Sequence, residues 1–238
     1  MGKYIRVLTT LFNTELTQNE IQYFRGAVLK ETGEDVNILF HNHDGEGFRY
    51  SYPLIQYKRI GGKAAIVSIE QGADIIGQFI SRMSGEIKLG NRMANISIEK
   101  IVPSRIRVQT WNRSFSYYLN HWLPLNSKNY KIFKDLKTEE EKKELLEKIL
   151  NGNLLSMLKG IGIHLEDELK VEMTNLNEPR VVKYKETSLM LFNAEFKSNL
   201  SIPNNIGIGK NASIGYGIVK EKKTYPEKQE NTQPNELQ

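Results

Sequence analysis

Residues 40–60 read FHNHDGEGFRYSYPLIQYKRI, and two of the four histidines of the chain fall there, at His41 and His43. Two positions apart on an extended strand, their rings point to one side. With an ordinary pKa of about 6.5, two imidazoles on one face can take up and return a proton near neutral pH. General acid–base help of this kind is worth about 10²–10⁴-fold in rate. The same residues allow two other readings: a metal site completed by Asp44 or Glu46, and a solvated hairpin with no role. Gly45 and Gly47 turn the chain. Beyond them Tyr50 and Tyr52 share a face, and Lys58 and Arg59 follow with positive charge. His121, in the aromatic run WNRSFSYYLNHW, reads as a packed or surface strand residue, and His164 as a loop or strand-edge residue. Half of that run is expected in the core by strand alternation, and the other half could stack bases.

A second group with chemical potential is PNNIGIGKNASIGYGIV, residues 203–219. Gly207 and Gly209, then Gly215 and Gly217, each flank an apolar or aromatic residue. Glycine admits positive φ and close backbone approach, and successive free N–H groups can cradle phosphate oxygens. Lys210 adds charge inside the loop. A tight hairpin whose glycines only serve turns explains the composition equally well. A nucleotide P-loop does not, because the G-x-x-x-x-G-K-[ST] spacing is missing and no helix follows. A dinucleotide fingerprint fails because no βαβ unit follows the segment. From Lys197 to Lys223 there are five lysines against one glutamate, a local +4 that suits a phosphate backbone. Glu139 to Lys148, with five glutamates and three lysines, is locally −2.

The elements that must hold these groups alternate between strand and helix. Residues 4–12 form a strand, and Thr17–Glu20 is a capping box opening a helix with Ile21, Phe24 and Val28 inside and Gly33 as its stop. A strand at 35–40, a hairpin of 50–60 and 64–70 across Gly61-Gly62, a helix at 72–83 and strands near 95–109 complete the first half. The second half starts with a strand at 115–123. A capping box at Thr138–Glu141 opens a helix with Leu146, Leu150, Leu154 and Leu158 on one stripe. Strands at 165–174, 181–184 and 187–196, the glycine segment and a strand at 214–220 follow. The fold class is α+β, two ferredoxin-like (RRM-like) domains in tandem: 1–110, with the histidines, and 111–223, with the glycine loop. Residues 224–238, with two prolines and almost no apolar side chain, are expected to be disordered.

Composition narrows the chemistry further. With 238 residues and 39% hydrophobic content the chain can bury a core, and with no cysteine it has no disulfide, thiolate metal site or cysteine nucleophile. The net charge of +5 is mildly basic. No run of about 18 apolar residues exists, and the opening MGKYIRVLTT reads as a strand rather than a secretory signal, so a cytoplasmic protein without a membrane partner is expected.

A Gly-apolar-Gly-x5-Gly-aromatic-Gly-apolar segment at this place in the chain resembles the CRISPR repeat-processing endoribonucleases. The segment HNHDGEGFRYSYPLIQYK is similar to that of their b-type subgroup. The resemblance implies tandem ferredoxin-like domains, a glycine loop that contacts repeat RNA, and catalysis by a histidine pair after the second strand. Carried over, His43 is the principal base and His41 its partner or acid. One of Tyr50, Tyr52 or Lys58 stands near the scissile phosphate. By the same resemblance Gly207, Gly209, Gly215 and Gly217 contact RNA, and Lys58, Arg59, Lys197 and Lys210 are expected to join them through their charge. The implied reaction needs neither metal nor other cofactor: the RNA's own 2′-hydroxyl attacks the adjacent phosphate, leaving a 2′,3′-cyclic phosphate and a 5′-hydroxyl. The implied partners are precursor and mature CRISPR RNA and an effector complex that receives the product, with the protein a monomer or homodimer. Two rivals stand beside this: a non-catalytic RNA-binding subunit of an effector complex, which would not need His41 and His43, and a metal-dependent nuclease. A generic RRM protein is disfavoured, since no RNP1-like aromatic pattern occurs.

Overall fold

The computed structural model describes residues 2–33, 40, 52–184 and 187–223. Its first unit runs β1 (Lys3–Glu15), a 3-10 turn (Gln18–Glu20), α1 (Ile21–Thr32), β2 (Ile55–Ile60), β3 (Lys63–Ile69), α2 (Gln71–Ile75), α3 (Gly77–Arg82), β4 (Glu86–Leu89), β5 (Arg92–Asn95) and β6 (Ile98–Val108). The second runs β7 (Thr110–Trp122), α4 (Ser127–Asp135), α5 (Glu139–Gly160), β8 (Val171–Leu176), β9 (Arg180–Tyr184), β10 (Thr187–Leu200) and β11 (Ile218–Glu221).

The local signals act where chemistry places them. The Glu20 carboxylate accepts from the Thr17 amide at 2.8 Å, and Gly33 ends α1 with φ +82°. Glu141 accepts from the Thr138 amide at 3.0 Å while the Thr138 hydroxyl accepts from the Glu141 amide at 3.2 Å, which fixes the start of α5. Gly61 and Gly62, at φ +59° and +88°, close the β2–β3 hairpin.

The two units repeat one topology. The first sheet is ordered β2-β3-β1-β6 and the second β11-β7-β10-β8, with β9 paired to β10, and neighbours in both are antiparallel. In each, the unit's opening strand lies between two later ones, β1 between β3 and β6 and β7 between β10 and β11, which is the ferredoxin-like order once β9, paired only to β10, is set aside. They differ in what connects β3 to β6 and β10 to β11. The first unit uses α2, α3 and the small β4–β5 hairpin; the second uses the glycine-rich segment, whose four glycines and Pro203 do not sustain a helix.

Four expected elements differ, the first being the hairpin strand of 50–60, which starts only at Ile55. The helix over 72–83 breaks at Ile76 into α2 and α3. The strand from 165 starts only at Val171, and the last strand only at Ile218, because Gly215 and Gly217 stand in the left-handed region at φ +84° and +62°. The expected strand at 35–40 lies outside the described residues except for Phe40, which is buried in the first unit's core. The tail from 224 also lies outside them.

Strand alternation gives the first sheet two buried faces. One packs Phe12, Tyr57 and Ile66 under α1 and α3, with Phe12, Phe24, Tyr57 and Phe79 meeting edge-to-face at 5.7–5.9 Å. The other presents Ile5, Val7, Val67 and Ile69 to the second unit, where Trp122, Phe196 and the leucine stripe of α5 complete one continuous core. Each such side chain, fully buried, is worth about 1.5–3 kcal/mol.

Candidate nucleic-acid interface

On β2 the same alternation sends Ile55 and Tyr57 to the first unit's helices and turns the polar Gln56 and Lys58 toward the second unit. There they meet the glycine segment. Gln56 accepts from the Gly207 amide at 2.7 Å and donates to the Tyr52 hydroxyl at 2.9 Å, and that hydroxyl donates to the Gly207 carbonyl at 2.9 Å. The Lys58 ammonium donates to the Ala212 carbonyl at 3.1 Å, and the Tyr57 amide to the Ser213 carbonyl at 2.7 Å. From the 3-10 turn, Gln18 donates to the Gly215 carbonyl at 3.2 Å. The segment is thus held by the first unit through five hydrogen bonds to four of its residues, Gly207, Ala212, Ser213 and Gly215. It is a weld between the units, built on side chains that sequence patterning marks only as alternate positions of a strand.

Close approach at this weld explains the glycines. A side-chain carbon on Gly207 would sit 2.6 Å from Lys58 Nζ, 2.7 Å from the Ala212 carbonyl oxygen and 2.8 Å from that of Tyr216. One on Gly217 would collide with the Ile208 carbonyl, on a backbone already at φ +62°. Gly209 lies against Asn153 of α5, and Gly215 against Ile21 of α1. The expected cradle of free amides is therefore corrected at two positions. The Gly207 N–H goes to Gln56, and the Gly217 N–H to the His121 carbonyl at 2.9 Å. These donors are committed within the protein, because an unpaired buried N–H is costly.

Two further expectations need correction. Lys58, expected as a phosphate contact, is 0% exposed, and burial pushes its amine down to about 7. Tyr52, expected beside the scissile phosphate, is 9% exposed, lies against Gly160 at the end of α5 and has its phenol pKa raised by burial. Both are pegs of the junction. The other expected cations are exposed: Arg59 on the outside of β2, its Nε donating to the Leu16 carbonyl; Lys210 at the tip of the segment, lining a groove with Tyr130, Lys131 and Lys134; Lys197 on β10, opposite Ser116 of β7.

His41, His43 and Tyr50 lie outside the described residues, as do Asp44 and Glu46. The residues that bracket them are described: Phe40 in the core beneath α1, and Tyr52 at the weld. Of the remaining histidines, His164 is exposed in the loop after α5, as expected. His121 is a half-buried strand residue of β7, as expected. It sits at a bulge of β7 with φ +53°, accepts from Gly217, and its amide donates to Asn193 Oδ1 at 2.8 Å. Its Nδ1 is buried without a hydrogen-bond partner, and burial, then Arg180 and Arg59, lower its pKa. In the aromatic run, Tyr117 and Trp122 are buried while Tyr118 faces out, so alternation divides the run as expected. No helix among the described residues is long and apolar enough to cross a membrane.

Comparison with known proteins agrees with this architecture over nearly the whole chain. The family model for the Cas6b N-terminal domain matches residues 3–107, and that for the Cas6b C-terminal domain matches residues 109–222. A solved structure described as Cas6b is 29% identical, with a TM-score of 0.81, covering 92% of this chain and 100% of that one. Another, described as the CRISPR RNA processing endoribonuclease Cas6b, is 27% identical, with a TM-score of 0.71 over the same shares. The uncharacterized protein MJ0978 of Methanocaldococcus jannaschii is 46% identical over 102 residues, 43% of this chain and 68% of that protein. Two ferredoxin-like units welded by a glycine-rich segment, matched end to end by both domain models, mean that this chain belongs to the Cas6b family of CRISPR repeat-processing endoribonucleases.

Proposed function

We propose that this protein cleaves CRISPR repeat RNA in precursor transcripts to give mature guide RNA, and that it does so without a metal ion. The supporting observation is the match, over 92% of the chain and both units, to a solved CRISPR RNA processing endoribonuclease. His43 removes the proton of the 2′-hydroxyl upstream of the cut. The freed oxygen attacks the neighbouring phosphorus, the bond from phosphorus to the 5′-oxygen breaks, and His41 gives that oxygen a proton. The products are a 2′,3′-cyclic phosphate and a 5′-hydroxyl. Because the RNA supplies its own nucleophile, the protein has only to move protons and hold the phosphate in line. Tyr50 is the remaining tyrosine candidate beside the phosphate, since Tyr52 and Lys58 are engaged at the weld. Lys210, Lys197 and Arg59 supply exposed charge for the RNA backbone, and mature RNA stays bound for transfer to an effector complex.

The test is incubation with the repeat RNA of the protein's own locus in excess EDTA, followed by mapping of product ends. Cleavage is expected to persist and to stop when a deoxynucleotide replaces the upstream residue, with binding intact. Activity that vanishes on chelation and returns with Mg²⁺ overturns the mechanism. Binding without any cleavage leaves the non-catalytic RNA-binding subunit instead.

A further inference from the structure

The passage from β6 to β7 reads Arg105-x-Arg107-x-Gln109-x-Trp111-x-Arg113-x-Phe115. The two strands are joined by Gln109 alone, so these alternate residues follow an almost uninterrupted extended path from the first sheet to the second. Their partners at Ile106 and Val108 go into the shared core. The side chains form a ladder: Arg105 lies over the Tyr4 ring at 4.9 Å, Arg107 over Trp111 at 6.0 Å, and Arg113 over both Trp111 at 5.8 Å and Phe115 at 4.7 Å. Tyr4, opposite Arg107 on β1, is 52% exposed, and all three arginines are exposed.

Two features set this patch apart from an ordinary charged face. No carboxylate among the described residues pairs with Arg105, Arg107 or Arg113, whereas Arg6, on the same face, is held by Asp74 at 2.6 Å. Glu166, Asp167 and Glu168 line the same hollows as Arg107 and Arg113, and of these Asp167 accepts from the Thr110 hydroxyl at 3.2 Å. The ladder is also pre-set: the Ser201 hydroxyl accepts from Trp111 Nε1 at 2.9 Å and donates to the Arg107 carbonyl at 2.7 Å. Guanidinium planes fixed on rings keep their N–H edges free for phosphates, and planes and rings together offer stacking to unpaired bases.

We infer that this guanidinium–aromatic ladder is a binding surface for single-stranded RNA, at the opposite end of β7 from the glycine contact, holding the unpaired strand that flanks the cut. Its assignment to the repeat strand rests on the proposed function. Bases stacked on such side chains are each worth roughly 5- to 150-fold in affinity, and each phosphate contact on a single strand adds about 0.7 to the salt slope.

The test compares the intact protein with Arg105→Gln/Arg107→Gln/Arg113→Gln, and with Lys88→Gln/Lys128→Gln/Lys148→Gln, which removes the same charge from other exposed positions. Affinity and salt slope are measured by fluorescence anisotropy on two probes, the repeat RNA and an oligouridylate. The arginine variant is expected to lose ten-fold or more on both probes and about 2 from the salt slope, with the lysine variant near the intact protein. Trp111→Leu is expected to weaken oligouridylate binding about ten-fold and Trp111→Phe much less. Unchanged binding by the arginine variant, or equal loss in both triple variants, overturns the inference. An intact protein that binds oligouridylate through the ladder but does not cut the repeat overturns the proposed function and upholds the ladder.

Discussion

At the residue scale, Lys58 and the histidine pair carry opposite kinds of consequence. The Lys58 amine is buried, with its pKa depressed from 10.5 to about 7, so folding disfavours its charged form. Between those two values the unfolded chain binds the extra proton and the folded one does not, so stability from this group rises with pH across that window. Below pH 7 the penalty is fully present. We predict that Lys58→Met, compared with the parent by urea unfolding, gains most below pH 7 and loses that advantage steadily from there toward pH 10. A difference independent of pH would show that the amine is not desolvated. For the histidines, single-turnover cleavage with enzyme in excess is the measurement. His43→Ala is predicted to slow it by about 10²–10⁴-fold, His41→Ala by less, and the double variant most, with repeat affinity little changed. Wild-type rates in the double variant would move the active site elsewhere.

At the scale of elements, the glycine segment is a structural strap, so its variants should act on stability before they act on RNA. Gly207→Val places branched carbons against Lys58 Nζ and two carbonyl oxygens. Gly217→Ala adds a carbon against the Ile208 carbonyl on a left-handed backbone, itself worth about 1–2 kcal/mol. Each is predicted to lower unfolding free energy by about 2 kcal/mol or more, seen as a lower urea midpoint. Lys210→Ala, at the exposed tip, should leave the midpoint in place and reduce the salt slope of repeat binding by about 0.7. Stable glycine variants with weakened binding would return these positions to direct RNA contact.

At the scale of the molecule, the shared core joins Ile5, Val7, Val67 and Ile69 to Trp122, Phe196 and the α5 leucines, and Ile214 of the strap enters the first unit's core. Neither unit buries its apolar surface alone. We predict one calorimetric transition for the whole chain, with calorimetric and van't Hoff enthalpies equal. Two resolved transitions would mean that the units are stable independently and the weld is weak.

Much of this organisation is written in short-range chemistry. The capping boxes at Thr17 and Thr138, the Gly61-Gly62 turn, the leucine stripe of α5 and the doubled strand–helix order are local choices of the chain, and they are legible because each depends on residues a few positions apart. The histidine pair and the spaced glycines are legible as chemical types for the same reason. What the sequence could not reveal is which strand face meets which unit. Alternation says that Gln56 and Lys58 share a side of β2, but only the docking of two sheets makes that side interior, turning an expected phosphate contact into a buried peg and phosphate-ready amides into partners of Gln56 and His121. The Arg105–Phe115 alternation was visible too, yet its meaning depended on Tyr4 and Ser201, far away in the chain. Periodicity fixes the direction of a side chain relative to its own strand; what waits there is decided by contacts between residues distant in sequence.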